Sequence, residues 1–143
     1  MSLRDFETYA GIVREFRFHR LRPTFATNSI KLCRAVNKGR QVPYLWLDPP
    51  WQILRGNEAF LHSSTYPQFG RPGSRARERE WLDHARGFPG GYLLSLRLVR
   101  FQQRVVFDFA DGWRIETPMD DPEPDPDWWF DDWYAKGRDD LQS

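Results

Sequence analysis

This chain has little cysteine, little lysine and no long apolar run. The single cysteine, Cys33, leaves no internal disulfide to form among 143 residues, so a packed core must hold the fold, and a chain of this length can build one as a single domain. No window approaches the roughly 20 consecutive apolar residues of a membrane-spanning helix. The first residues carry Arg4, Asp5 and Glu7 with no apolar stretch behind them, the pattern of neither a signal peptide nor a membrane anchor. A reducing cytoplasm is the expected location, with no membrane partner. The histidines, His19, His62 and His84, are scattered and form no Cys/His cluster with metal-ligand spacing, so neither a metal nor a cofactor is expected. Lysine stands only at positions 31, 38 and 136; the remaining basic residues are arginines, whose forked guanidinium suits carboxylates and phosphates alike.

Charge and aromatic rings are abundant instead, and unevenly placed. Residues 1–110 hold 18 Arg and Lys against 9 Asp and Glu, whereas residues 111–143 hold 3 against 11. Such halves attract each other or recruit partners. The organisation expected is an α+β core domain over 1–118 and an acidic, proline-rich and aromatic tail over 119–143. Acid and proline alternate from Asp120 to Asp127, a stretch too poor in apolar groups to fold alone. Beyond it, Asp125 as N-cap, Pro126 at the first helical position and Gly137 past the end predict a helix of about ten residues, with Trp129 and Trp133, and Phe130 and Tyr134, at i, i+4 spacing. That aromatic stripe is expected to dock on the domain's own sheet. Asp125, Asp127, Asp131 and Asp132, with Trp128 and Trp133, are the candidate binding residues for a basic protein partner.

Within the core domain, Leu3, Phe6, Tyr9, Ala10 and Val13 at spacings of three and four predict an N-terminal helix. Phe16, Phe18 and Leu21 predict a strand ended by Pro23. Further strands are expected from Ser29 to about Val36, from Val42 to Leu47, and on both sides of a Gly56-Asn57 turn that would pair Arg55 with Glu58, Ile53 with Phe60 and Trp51 with His62. Ser74 is the expected N-cap of a helix holding Trp81, Leu82 and Ala85. Tyr92, Leu94, Leu96 and Leu98 then alternate as one face of a strand. A tight turn at Gln102-Gln103 would set Leu98 against Phe107 and Leu96 against Phe109. A three-residue loop, Ala110-Asp111-Gly112, pairs Phe107 with Ile115 and Asp108 with Arg114, and requires Gly112 at positive φ. The fold class is therefore α+β: an antiparallel sheet of hairpins and meanders with two or three short helices.

Two motifs bear on function. Asp48-Pro49-Pro50-Trp51, directly after the apolar run Tyr44-Leu45-Trp46-Leu47, resembles the catalytic loop of amino-group methyltransferases. That resemblance implies that Asp48 and the carbonyl of Pro49 accept hydrogen bonds from an exocyclic amine while Trp51 stacks on the flipped base. Such enzymes also need a Gly-rich turn between a strand and a helix for the cofactor. Here the only suggestive pair, Gly70 and Gly73, follows Thr65-Tyr66-Pro67 rather than an apolar strand. The tetrapeptide therefore reads as a corner, in which Pro49 and Pro50 stop the ladder, Asp48 satisfies nearby amides and Trp51 begins the next strand. His62 beside Ser63 and Ser64 gives no nucleophile-base pair, because adjacent strand positions point to opposite faces.

The second motif set is longer. Asn28-Ser29-Ile30-Lys31-Leu32, Leu45 to Trp51, Ser63-Ser64-Thr65-Tyr66-Pro67 and Val106 to Trp113, in that order, resemble small bacterial α+β proteins found as immunity proteins beside polymorphic toxins. The resemblance implies a non-enzymatic protein that binds and blocks one toxin, and it transfers no site residues. The expected function is thus a protein-binding module of immunity type. The alternatives are nucleic-acid binding by the Arg-rich body, since arginine with aromatic rings suits stacking on bases, and amino-group methyl transfer.

Overall fold

The computed structural model describes residues 11, 14–16, 19–34, 44–118 and 133–136. Nine strands form one antiparallel sheet in the order β5-β4-β8-β7-β6-β1-β2-β3-β9. They are β1 (Arg20–Ala26), β2 (Ser29–Arg34), β3 (Tyr44–Leu47), β4 (Gln52–Arg55), β5 (Glu58–His62), β6 (Gly91–Val99), β7 (Arg104–Phe109), β8 (Trp113–Pro118) and β9 (Trp133–Lys136). One α-helix, α1 (Ser74–Ala85), interrupts them between β5 and β6. The described residues therefore hold one α-helix rather than two or three. The helix expected at the N-terminus lies almost wholly outside them.

The tail corrects the sequence reading more sharply. Trp133–Lys136, expected to be the end of a helix, is a strand paired antiparallel with β3, Leu47 opposite Trp133 and Tyr44 opposite Lys136. Trp-Tyr-Ala-Lys fits a pleated edge as well as a helix, and β3 offers an open ladder, so pairing overrides the capping pattern. The rest of that expected helix lies outside the described residues.

β1 begins four residues after Phe16, which closes a short 3₁₀ turn (Arg14–Phe16) and is buried. Pro23 stands inside β1 rather than ending it. Alternation counted back from the two-residue turn at Thr27-Asn28 directs position 23 away from β2, and β1 pairs with β6 only through Arg20 and Leu21, so no ladder bond needs the missing donor. The Gly56-Asn57 hairpin pairs Arg55 with Glu58 as expected, but a bulge then moves Ile53 opposite Leu61 and Gln52 opposite His62. The bulge sends Leu61 into the core and leaves Phe60 half-buried, stacked on His84 at 4.4 Å and edge-on to Trp113 at 4.9 Å.

A second bulge separates Leu93 from Ser95 in β6, so Leu93 is buried while Tyr92 and Leu94, expected inward, are 50% and 52% exposed. The β6–β7 connection also differs. Four residues, Arg100 to Gln103, make a 3₁₀ turn with Gln103 left-handed, and Leu96 lies opposite Phe107 with Leu98 opposite Val105. The register is thus two residues from the tight-turn expectation, which keeps the inward face but leaves Phe101 fully exposed at the tip. At the other end of β7, Phe107 faces Ile115 and Asp108 faces Arg114, the register set by the Ala110–Gly112 loop, with Gly112 at φ +80°.

Leu21, Ile30, Leu32, Leu45, Leu47, Ile53, Phe107 and Ile115 are completely buried on the inner face. Trp81 of α1 locks the helix over that face, within 5.0–6.1 Å of Tyr66, Phe25 and Trp51, its indole N–H donating to Thr65 Oγ1 at 2.9 Å. The helix starts one residue earlier than expected. Gly73, at φ +77°, is the N-cap and Ser74 is already helical, because glycine turns the chain out of the Pro72 loop without a side-chain cap.

Candidate functional site

The Asp48 corner joins β3 to β4. Its side chain accepts from Ser29 Oγ at 2.8 Å and from the Trp46 indole N–H at 2.6 Å, rather than from local backbone amides. The physical reason is plain: Pro49 and Pro50 have no N–H to offer, whereas Trp46 lies two residues back on the same face, and the pairing of Ile30 with Leu47 brings Ser29 alongside. Trp51 is 1% exposed. Its amide donates to Ser63 Oγ at 3.0 Å and its indole N–H to the carbonyl of Asn28 at 2.8 Å, while Thr117 Oγ1 donates to the Pro50 carbonyl at 3.1 Å. The corner thereby ties the β1–β2 turn, β3, β5 and β8 together, and the ring that would stack on a base lies inside the core.

A second candidate lies around the end of β5. Ser64 folds back so that its Oγ sits 2.7 Å from His62 Nδ1, and its amide donates to the same nitrogen at 3.0 Å. The two side chains do meet, because a 3₁₀ turn (Ser63–Thr65) replaces the straight strand assumed from sequence. With both Ser64 donors on one nitrogen, the arrangement caps the turn. His84 Nε2 is 2.8 Å from the carbonyl of Phe60. Tyr66 donates to Glu78, and burial first, with that hydrogen bond, pushes its phenol up to about 12. His62 and His84, with Phe60 and Trp81, line an open hollow of about 700 Å³ that Ser64, Tyr66 and Glu78 do not line.

Polar side chains on the outer face of β4, β8, β7 and β6 form a bonded row. Glu116 accepts from Gln52 at 2.9 Å, Arg104 at 2.9 Å and Arg114 at 3.1 Å. Asp108 accepts from Ser95 at 2.6 Å and from both arms of Arg97 at 2.5 and 3.0 Å. Arg114, expected to pair with Asp108, instead binds Glu116 and the carbonyl of Gly56 at 2.6 Å. Burial pushes both carboxyls up, but hydrogen bonds and arginine charge outweigh it and hold Asp108 and Glu116 below the ordinary carboxylate range. The row is satisfied within itself, which suits a sheet surface more than a reacting centre.

The other half of the outer face is different. Register places Arg22 beside Cys33 and Tyr44, Thr24 beside Lys31 and Trp46, and Arg20 beside Tyr92. Lys31 Nζ lies 4.5 Å above the Tyr44 ring, and Tyr44 meets Trp46 edge-on at 6.4 Å. Burial raises the Cys33 thiol, partly offset by Lys31, so it is no activated nucleophile. Where β1 and β6 part, a groove of about 580 Å³ opens, with Arg20, Arg22 and Arg86 on its rim and Pro23, Phe25 and Phe88 among its floor. Arg86 binds Asp83 at 2.7 Å.

Of the residues singled out from sequence, Asp125, Asp127, Trp128, Asp131 and Asp132 lie outside the described residues, and Trp133 opens β9 opposite Leu47. Asp48, Pro49, Pro50 and Trp51 meet in one corner, while Gly112 lies in a separate turn whose carbonyl accepts from the Gly56 amide at 2.9 Å. The arginine groove and the Tyr92–Leu94 surface were missed; the i, i+2 spacing of Arg20 and Arg22 was the available signal. Among the described residues no cluster of three or more His, Cys, Asp or Glu could hold a metal, and no helix is long and apolar enough to cross a membrane. Comparison with known proteins finds no matching family model, no matching curated protein and no matching solved structure.

Proposed function

We propose that the chain is a non-enzymatic protein-binding module whose contact surface is the outer face of β1–β3 together with the start of β6. The observation that carries this reading is the exposure of Tyr92, paired across from Arg20 near the end of the β1–β6 ladder, and of Leu94 two positions further along β6. Exposed tyrosine beside arginine is the pairing enriched at interface centres, and Leu94 adds apolar area next to it. An immunity protein that neutralises a toxin domain is the specific form implied by the sequence resemblance. The nucleic-acid alternative draws on Arg20, Arg22 and Lys31 near Tyr44 and Trp46. It is less well supported because Lys31 covers the Tyr44 face and Tyr44 and Trp46 meet edge-on at 6.4 Å, so the two rings do not form a flat stacking platform.

The test is capture from the native host with wild-type bait and with a Tyr92→Ala/Leu94→Ala bait of unchanged melting temperature. A nuclease-resistant protein should be retained by the first and lost by the second. Expressed alone, that protein should arrest growth, and co-expression of this chain should relieve the arrest. Equal retention by both baits, or capture that disappears on nuclease treatment, would discard this surface.

A further inference from the structure

We infer that the groove between β1 and α1 binds an extended acidic segment of a protein partner, with carboxylates at alternate positions. This rests on the protein-binding reading above and names the chemistry of the segment. Arg20 and Arg22 lie on the same side of β1, so their roots are roughly 6.7 Å apart. An extended chain repeats its side chains at the same interval, and a segment lying along β1 can present one carboxylate to each fork, the geometry in which arginine makes paired, charge-assisted hydrogen bonds. Arg86 supplies a third guanidinium across the groove.

The groove asks for negative charge. None of its described lining residues is acidic, and among the described residues Arg20 and Arg22 have no carboxylate partner, whereas Arg86 binds Asp83 through one of its nitrogens. Its floor is apolar, built from Pro23, Phe25 and Phe88, so the residues between the carboxylates can be small and apolar. A phosphate chain fits less well. Phe88 is 1% exposed and lies edge-on to Phe109 and Trp113, and Phe25 packs on Trp51 and Trp81, so no ring on the floor offers its face to a base. Next to the lining residue Pro89, Gly90 passes so near the Leu21 carbonyl that a Cβ there would lie 2.3 Å from it, so the chain entering β6 is held tightly against β1 beside the groove.

The experiment is fluorescence anisotropy of the full chain with a labelled peptide of about ten residues alternating aspartate and valine. A second peptide of the same composition has its aspartates in one block, and a third probe is single-stranded oligothymidylate. The alternating peptide should bind best and weaken as salt rises. Arg20→Glu/Arg22→Glu should weaken it by about ten-fold or more, whereas Arg100→Glu, at the distant β6–β7 turn, should leave it unchanged. Both variants are at exposed positions, and equal melting temperatures confirm their folds. Equal binding of the two peptides, tighter binding of oligothymidylate, or insensitivity to the Arg20/Arg22 reversal would overturn the inference. Those results leave the wider reading standing if Tyr92→Ala/Leu94→Ala still abolishes partner capture, and both readings fail if it does not.

Discussion

Asp48 shows how a residue type suited to chemistry can be used up by architecture. One oxygen accepts from both Ser29 and Trp46, so Asp48→Ala strands two donors and should cost about 1–2 kcal/mol. The denaturant midpoint checks this, and Asp48→Asn, which keeps an acceptor, should lose less. Glycine positions give a steeper test. Gly90 combines φ +66° with a Cβ position 2.3 Å from a backbone oxygen, so Gly90→Ala should destabilise by roughly 2–4 kcal/mol, while Gly56→Ala, also at positive φ but facing open space, should cost about 1 kcal/mol. Equal midpoints for the two variants would contradict the packing argument. Gly112 was legible in the sequence because alternation on both sides leaves one loop length that keeps Phe107 and Ile115 on the same face. Gln103 was not. It also sits at positive φ, +48°, so Gln103→Val is strained, and Gln103→Gly should raise stability by about 0.5–1 kcal/mol.

At the scale of elements, the strands declared themselves by alternation, and the hairpin ends by Gly56 and Gly112. What alternation cannot show is an inserted residue. The bulges after Ile53 and Leu93 each shift the phase once, and only the packing of Leu61 and Leu93 into the core decides where. The β6–β7 register was missed for a related reason: the four-residue turn over Arg100 to Gln103, with Phe101 exposed at its tip, is longer than the two-residue turn at Gln102-Gln103 that alternation suggests. The outer row on β6–β8 leads to a pH prediction. Asp108 and Glu116 have depressed folded-state pKa values, so the folded protein binds fewer protons than the unfolded chain once the ordinary carboxylate range is reached. Their contribution is present in full above about pH 5 and is lost as pH falls through that range and below it. The urea midpoint should therefore fall between neutral pH and about pH 3, and Asp108→Asn should flatten the curve, whereas an identical slope in the variant would show that the row adds nothing.

For the whole molecule, the sheet order holds what no local pattern carries. β4 reaches across to β8 and β1 to β6, joining residues far apart in the sequence, so hairpins could be read but not their order. The same holds for β9, whose pairing with β3 brings the tail onto an edge of the sheet. β3 is short and apolar, with Leu45 and Leu47 fully buried and Trp46 half-buried, and without β9 its outer ladder would be open. An apolar open edge is a template for another chain. Ending the chain after Pro118 should therefore lower the melting temperature and, separately, cause concentration-dependent self-association visible in light scattering. Replacing Trp46 by Lys in the truncated chain should suppress the association without restoring the melting temperature, because a charge blocks edge pairing but cannot supply the lost ladder. A truncated protein that melts like the full chain and stays monomeric at high concentration would mean that the β3–β9 pairing has no part in holding the sheet together.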